Sequence, residues 1–159
     1  MTNFTIRNED YAERVRRSFA RQGFMGFLGA SLTDVAPGRV EITVPFDAQL
    51  AQQHGYFHGG VVGTIADNAG GYSSFTLMAP SDSVLTVEYK LNLMAPSDGE
   101  TLIARGTVIR PGRRLTVSRA DVFVVRNGVE NLCATMLGTF MTLENTSDDP
   151  ARRNPSIRG

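Results

Sequence analysis

The sequence predicts an α+β fold in which one long helix packs against a curved antiparallel sheet. Three observations carry this. Gly60 to Leu77 is a small-residue and apolar stretch with helical spacing, in which Val61, Val62, Ile65, Ala66, Ala69 and Tyr72 supply apolar faces. Four segments of alternating polarity follow it. Asn127-Gly128 then joins two of those segments through the dipeptide that favours a tight two-residue hairpin. One helix placed early and strands gathered after it mark the α+β class.

The chain has 159 residues, enough for one domain with a sizeable core. We expect that domain over residues 1–143 and a polar, disordered tail over 144–159. The first element is a short helix at about 8–23, capped by Asn8 or Asp10, with Tyr11, Val15 and Phe19 on one stripe and Gly23 at its end. The following "FMGFLGASL" is a looser apolar connection. In "GRVEITVPF", Val40, Ile42 and Val44 alternate with Glu41 and Thr43, a half-buried strand stopped by Pro45.

After the long helix, "SVLTVEYKLNLM" sets Leu85, Val87, Tyr89, Leu91 and Leu93 on one face against Thr86, Glu88, Lys90 and Asn92 on the other. "ETLIARGTVIR" runs to a Pro111-Gly112 turn. "RLTVSRADVFVV" and "VENLCATMLGTFMTL" then flank the Asn127-Gly128 hairpin, and the four segments read as a meander.

Sixteen Lys and Arg balance sixteen Asp and Glu, so no net field draws nucleic acid, and any anion site is local. Apolar runs stay well short of the roughly 20 residues that span a bilayer. The start carries no apolar signal segment. A cytoplasmic protein without membrane or nucleic-acid partners is expected. His54 and His58 lie four apart ahead of the helix, without carboxylate or Cys at a ligand spacing, so neither metal nor cofactor is expected. Cys133 sits in a strand pattern as a small core residue.

Gly63, Gly70 and Gly71 weaken a helix by up to ~1 kcal/mol each relative to Ala, a penalty that close packing on several sides offsets. His58-Gly59-Gly60 stands where the helix begins. Helix N-termini expose N–H groups at a positive dipole end, so an amide of Gly59 or Gly60 suits a developing oxyanion, or the glycines serve only a tight turn. Asp67 lies among Ala and Gly within the helix. It is either a general base or nucleophile bordering a cleft, or a carboxylate on a wet helix face.

"HGYFHGGVVGTIADNAGGYSS", "SVLTVEYKLNLMAPSDGE" and "GRRLTVSRADVF" together resemble the hotdog-fold acyl-CoA thioesterases of the PaaI-like (phenylacetyl-CoA thioesterase) group, from about Gly29 to Leu143. The resemblance implies a helix wrapped by an antiparallel sheet and hydrolysis of an acyl-CoA to a free acid and CoA. It implies Asp67 as the acidic catalytic residue and Gly60 as the glycine whose N–H polarises the carbonyl, with Gly59 supporting the turn. His58 orients the loop or the thioester. Gln52 stands where the family often has Asn, and Thr86 matches a Ser/Thr that assists water from the neighbouring subunit. Arg113, Arg114 and Arg119 are the expected contacts of the CoA phosphates. Active sites between the subunits of a homodimer or homotetramer are implied as well. A non-enzymatic acyl-CoA-binding module is the alternative, which would need no Asp67.

Overall fold

The computed structural model describes residues 4–149. Helix α1 spans Tyr11–Ala20, α2 Gly23–Phe27 and α3 Gly59–Phe75; the strands are β1 Ser31–Ala36, β2 Arg39–Pro45, β3 Ser83–Leu93, β4 Thr101–Arg110, β5 Leu115–Arg126 and β6 Val129–Leu143. All pairings are antiparallel, in the order β1-β2-β4-β5-β6-β3. Two elements of the sequence reading change. The apolar connection holds most of α2 and the start of the edge strand β1, and β3 pairs with β6 instead of opening a simple meander. The chain leaves α3 at one edge of the sheet and the next three strands return beneath the helix, so β3 becomes an outer strand.

The core lies between α3 and the sheet. Val40, Ile42 and Val44 of β2, Leu102 and Ala104 of β4, Ala120 and Val122 of β5, and Met136 and Phe140 of β6 are all buried against it. Gly106 on β4 lets the helix backbone pass directly over the strand, because a Cβ there would collide with the Ala69 carbonyl. The glycines of α3 divide. A Cβ at Gly70 would stand 2.9 Å from Met136 and Phe140, whereas one at Gly71 would make an ordinary 3.4 Å contact with Phe140.

Helix α1 closes the C-terminal end of α3. Tyr72 Oη accepts a hydrogen bond from Gln22 Nε2 (2.7 Å) and lies 3.1 Å from Ser18 Oγ. The Arg14 guanidinium lies 4.0 Å from the Phe75 ring centroid and donates to the carbonyls of Ala79 and Asp82. Asn127 and Gly128 both have positive φ (52° and 75°), the backbone of the expected hairpin turn. Cys133 is buried and its thiol donates to the Val122 carbonyl. Of the polar tail expected at 144–159, residues 150–159 lie outside the described residues, and Asp148 pairs with Arg21 at 2.5 Å. Among the described residues, no helix is long and apolar enough to cross a membrane.

Candidate active site

The loop before α3 is fixed at three points. Ala51 and Phe57 form an isolated bridge, the His58 N–H donates to Leu50 O (2.8 Å), and the Phe57 N–H donates to Ser97 O (3.1 Å). Phe57 is buried and meets Phe46 edge-on, with ring centroids 5.2 Å apart. Between these anchors Gln52 Oε1 accepts from the His54 N–H (2.6 Å), so this side chain folds back on its own loop. His58 is the N-cap of α3: its Nδ1 accepts the Gly60 N–H at 2.9 Å. That tautomer carries its proton on Nε2.

The cap bears on the two amides that the helix start offers. The Gly60 N–H, which the resemblance implies as the carbonyl-polarising donor, is held by the imidazole next to it. Among the described residues the Gly59 N–H meets no acceptor, so Gly59 presents the open amide at the positive end of the helix. A Cβ at 60 would stand 2.9 Å from His58 Nδ1 and displace the capping ring.

Asp67 is half-buried on α3, and its Oδ1 accepts from Thr86 Oγ1 at 2.8 Å. Burial raises its carboxyl above the usual range, and the Thr86 hydrogen bond opposes that rise. Thr86 touches the carboxylate of its own chain.

One flank of α3 steps along β3. A Cβ on Gly59 would touch Leu93, one on Gly63 would touch Leu91, and Asp67 meets Thr86. The arginines stand apart from this seam. Arg119 Nε donates to Asp121 Oδ1 (2.9 Å), in a residue between the buried Ser118 and Ala120, hence on the sheet face away from α3. Arg113 lines a cavity of about 260 Å³ with Arg7, Ser74 and Thr116 at the C-terminal end of α3. Arg114 accepts the Thr142 N–H at its backbone carbonyl. No group of three or more His, Cys, Asp and Glu among the described residues is placed to hold a metal ion.

An amide donor at a helix start and a carboxylate of raised pKa on the same helix suit nucleophilic attack at a carbonyl. The comparisons agree with that chemistry. Residues 54–130 match the family model described as the thioesterase superfamily. A solved thioesterase family protein from Silicibacter pomeroyi is 48% identical, with TM-score 0.83, covering 84% of this chain and 98% of that one. The chain belongs to the thioesterase superfamily. A Saccharolobus solfataricus relative named "Putative esterase" is 30% identical over 85% of this chain and 87% of its own. Escherichia coli PaaI shares the fold at 17% identity and TM-score 0.76, over 89% of this chain and 99% of that one. The protein is therefore a hotdog-fold enzyme of the thioester hydrolase class.

Proposed function

We propose that this thioesterase hydrolyses acyl-CoA, with Asp67 as the base and the Gly59 N–H as the carbonyl-polarising donor. The observation that carries the reading is that α3 presents both groups the reaction needs, an amide without an acceptor at its start and a half-buried carboxylate held by Thr86, which two-fold pairing of the helix would bring together. The thioester oxygen accepts from Gly59, and Asp67 takes a proton from water as its oxygen bonds to the carbonyl carbon. Collapse of the tetrahedral intermediate breaks the C–S bond. The Asp67 proton passes to the departing CoA thiolate, leaving the free acid and regenerating the carboxylate. His58 holds the loop in shape. Gln52 stands at its edge, and its amide nitrogen is a donor toward the thioester or water.

The site is completed by a second copy of the chain. Within one chain Gly59 and Asp67 are eight residues apart, ~12 Å along the axis, at the limit of what one bound carbonyl and one water bridge. Strand β3 is an outer strand with exposed Leu85, Val87, Leu93 and Met94, the kind of apolar edge that a partner strand covers. Two-fold pairing there lays the two α3 helices antiparallel and sets Gly59 of one chain toward Asp67 of the other. On light scattering the wild type is expected at twice the chain mass or more. Val87→Glu should lower the mass to that of one chain and remove activity with it; an active monomer would contradict the shared site.

We assign the CoA phosphates to the β4–β5 turn. Arg113 shares its cavity with Arg7, and neither they nor Arg114 form an ion pair among the described residues. Arg119 is the weaker candidate because Asp121 already holds it. From Asp67 to Ser74 in the wall of that cavity is two helical turns, ~11 Å, a span suited to a pantetheine arm.

Thiol release measured across a panel of acyl-CoA esters tests the activity, and acyl-CoA binding without thiol release would make the protein a binding module. Thr86→Val gives a finer check. Its hydroxyl favours the charged carboxylate, so its loss raises the Asp67 pKa further. The acid limb of kcat/KM is expected to move to higher pH in the variant, and an unmoved limb would separate Thr86 from the titration of Asp67.

A further inference from the structure

Simple alternation along β3 puts Thr86 and Tyr89 on opposite faces of the strand, since they are three residues apart. The structure puts them on the same face. The register against β6 slips between Thr86 and Glu88: Thr86 is opposite Phe140, Glu88 opposite Thr139 and Tyr89 opposite Gly138. This bulge leaves one residue unmatched and reverses the alternation beyond it. Leu85 and Val87 point away from α3, while Tyr89, Leu91 and Leu93 stand on its side behind Thr86, Tyr89 and Leu93 still exposed in the single chain.

The bulge sets a phenol in the seam. Tyr89 Oη lies 3.7 Å from where a Cβ on Gly63 would be, and Leu91 lies 3.3 Å from the same point. Gly63 is one turn after Gly59 and one turn before Asp67, so the hydroxyl stands over the helix turn that separates the open amide from the carboxylate of its own chain. Its side chain is exposed in the single chain, and among the described residues its hydroxyl has no hydrogen-bond partner. Leu91 and Leu93, on either side of the same seam, are apolar. The one polar donor that β3 adds between Gly59 and Asp67 is therefore Tyr89.

We propose that Tyr89 is a substrate-contacting residue of the hydrolase, its neutral hydroxyl donating a hydrogen bond to the bound thioester and holding the carbonyl carbon in line with the water on Asp67. The inference rests on the acyl thioester reading above. It assigns the β3 bulge a purpose: the extra residue lets one strand present both Thr86, which holds the base, and Tyr89, which holds the substrate. No proton leaves the phenol in any step.

Tyr89→Phe keeps the ring and removes only the donor. Thiol release by the variant is expected to have kcat lowered roughly tenfold, the value of one neutral hydrogen bond made to the reacting group. The melting temperature and the position of the acid limb should match the wild type. Tyr89→Leu, which also removes the ring, should show the same loss in kcat with a higher KM. Wild-type kcat in Tyr89→Phe overturns the inference and leaves the hydrolase reading standing. A kcat loss accompanied by a lower melting temperature in Tyr89→Phe also overturns it, by making the hydroxyl structural. A wild-type protein that releases no thiol from any ester in the panel overturns the hydrolase reading and this inference with it.

Discussion

Asp67→Asn is expected to lower thiol release by about 10²–10⁴-fold, the usual contribution of a positioned general base, while the fold and the assembly persist. Asparagine has nearly the same shape, and its side-chain oxygen still accepts from Thr86 Oγ1. Packing around α3 is thus unchanged, and only the capacity to take a proton is lost. The stability of the variant provides an independent check. Burial raises the Asp67 carboxyl in the folded protein, so its contribution is most favourable below the unfolded pKa and is lost as pH rises through the folded one. At neutral pH the ionised group is a cost that the amide does not carry, and the melting temperature of Asp67→Asn should equal or exceed that of the wild type. The wild-type pH–rate profile should show its acid limb above the ordinary carboxylate range. Single turnover in ¹⁸O-water then reports the route: a base delivers the label to the released acid, whereas a nucleophilic carboxylate leaves it on Asp67. Activity retained in Asp67→Asn would remove the carboxylate from the mechanism.

How far this site was readable from the residues depends on the range of the interactions. The helix of small residues, the β2 alternation and the Asn127-Gly128 turn are local patterns, and each formed where its pattern lay. Strand β1 was missed because its residues are only half-buried and Thr33 and Asp34 break the alternation beside a register shift. Helix α2, at five residues, is too short to show a period. The pairing of β3 with β6 is non-local, and the bulge that turns Tyr89 inward is invisible in an alternation that looks unbroken. The choice between Gly59 and Gly60 turned on a single hydrogen bond. An N-cap side chain accepts from the second or third helical residue, so His58 at that position already pointed to Gly60 as the occupied amide. Histidine is not among the usual capping residues, so its position alone does not announce the cap.

Gly106→Ala is expected to destabilise strongly the fold that positions this site. The added Cβ would fall inside contact distance of the Ala69 carbonyl and close to the Gly70 N–H, both backbone groups in the middle of α3. A flexible side chain can swing away from a new methyl, but these atoms are held by the helix's own hydrogen bonds. Relief requires α3 to lift from β4, which opens the layer of Ile65, Ala66, Leu102 and Ala104 beneath it. Forced overpacking of this kind costs about 3 kcal/mol or more. For a domain of this size that lowers the melting temperature by roughly 6–12 °C. Gly71→Ala is the matched control. Its Cβ would meet Phe140 at an ordinary 3.4 Å, and alanine favours the helix by up to ~1 kcal/mol, so a neutral or raised melting temperature is expected. Gly106→Ala should also reduce activity in whatever fraction remains folded, because raising α3 alters the distance from Asp67 to Thr86 on β3. If the two alanine variants melt together, close approach of the helix backbone to β4 is not what holds this layer in place.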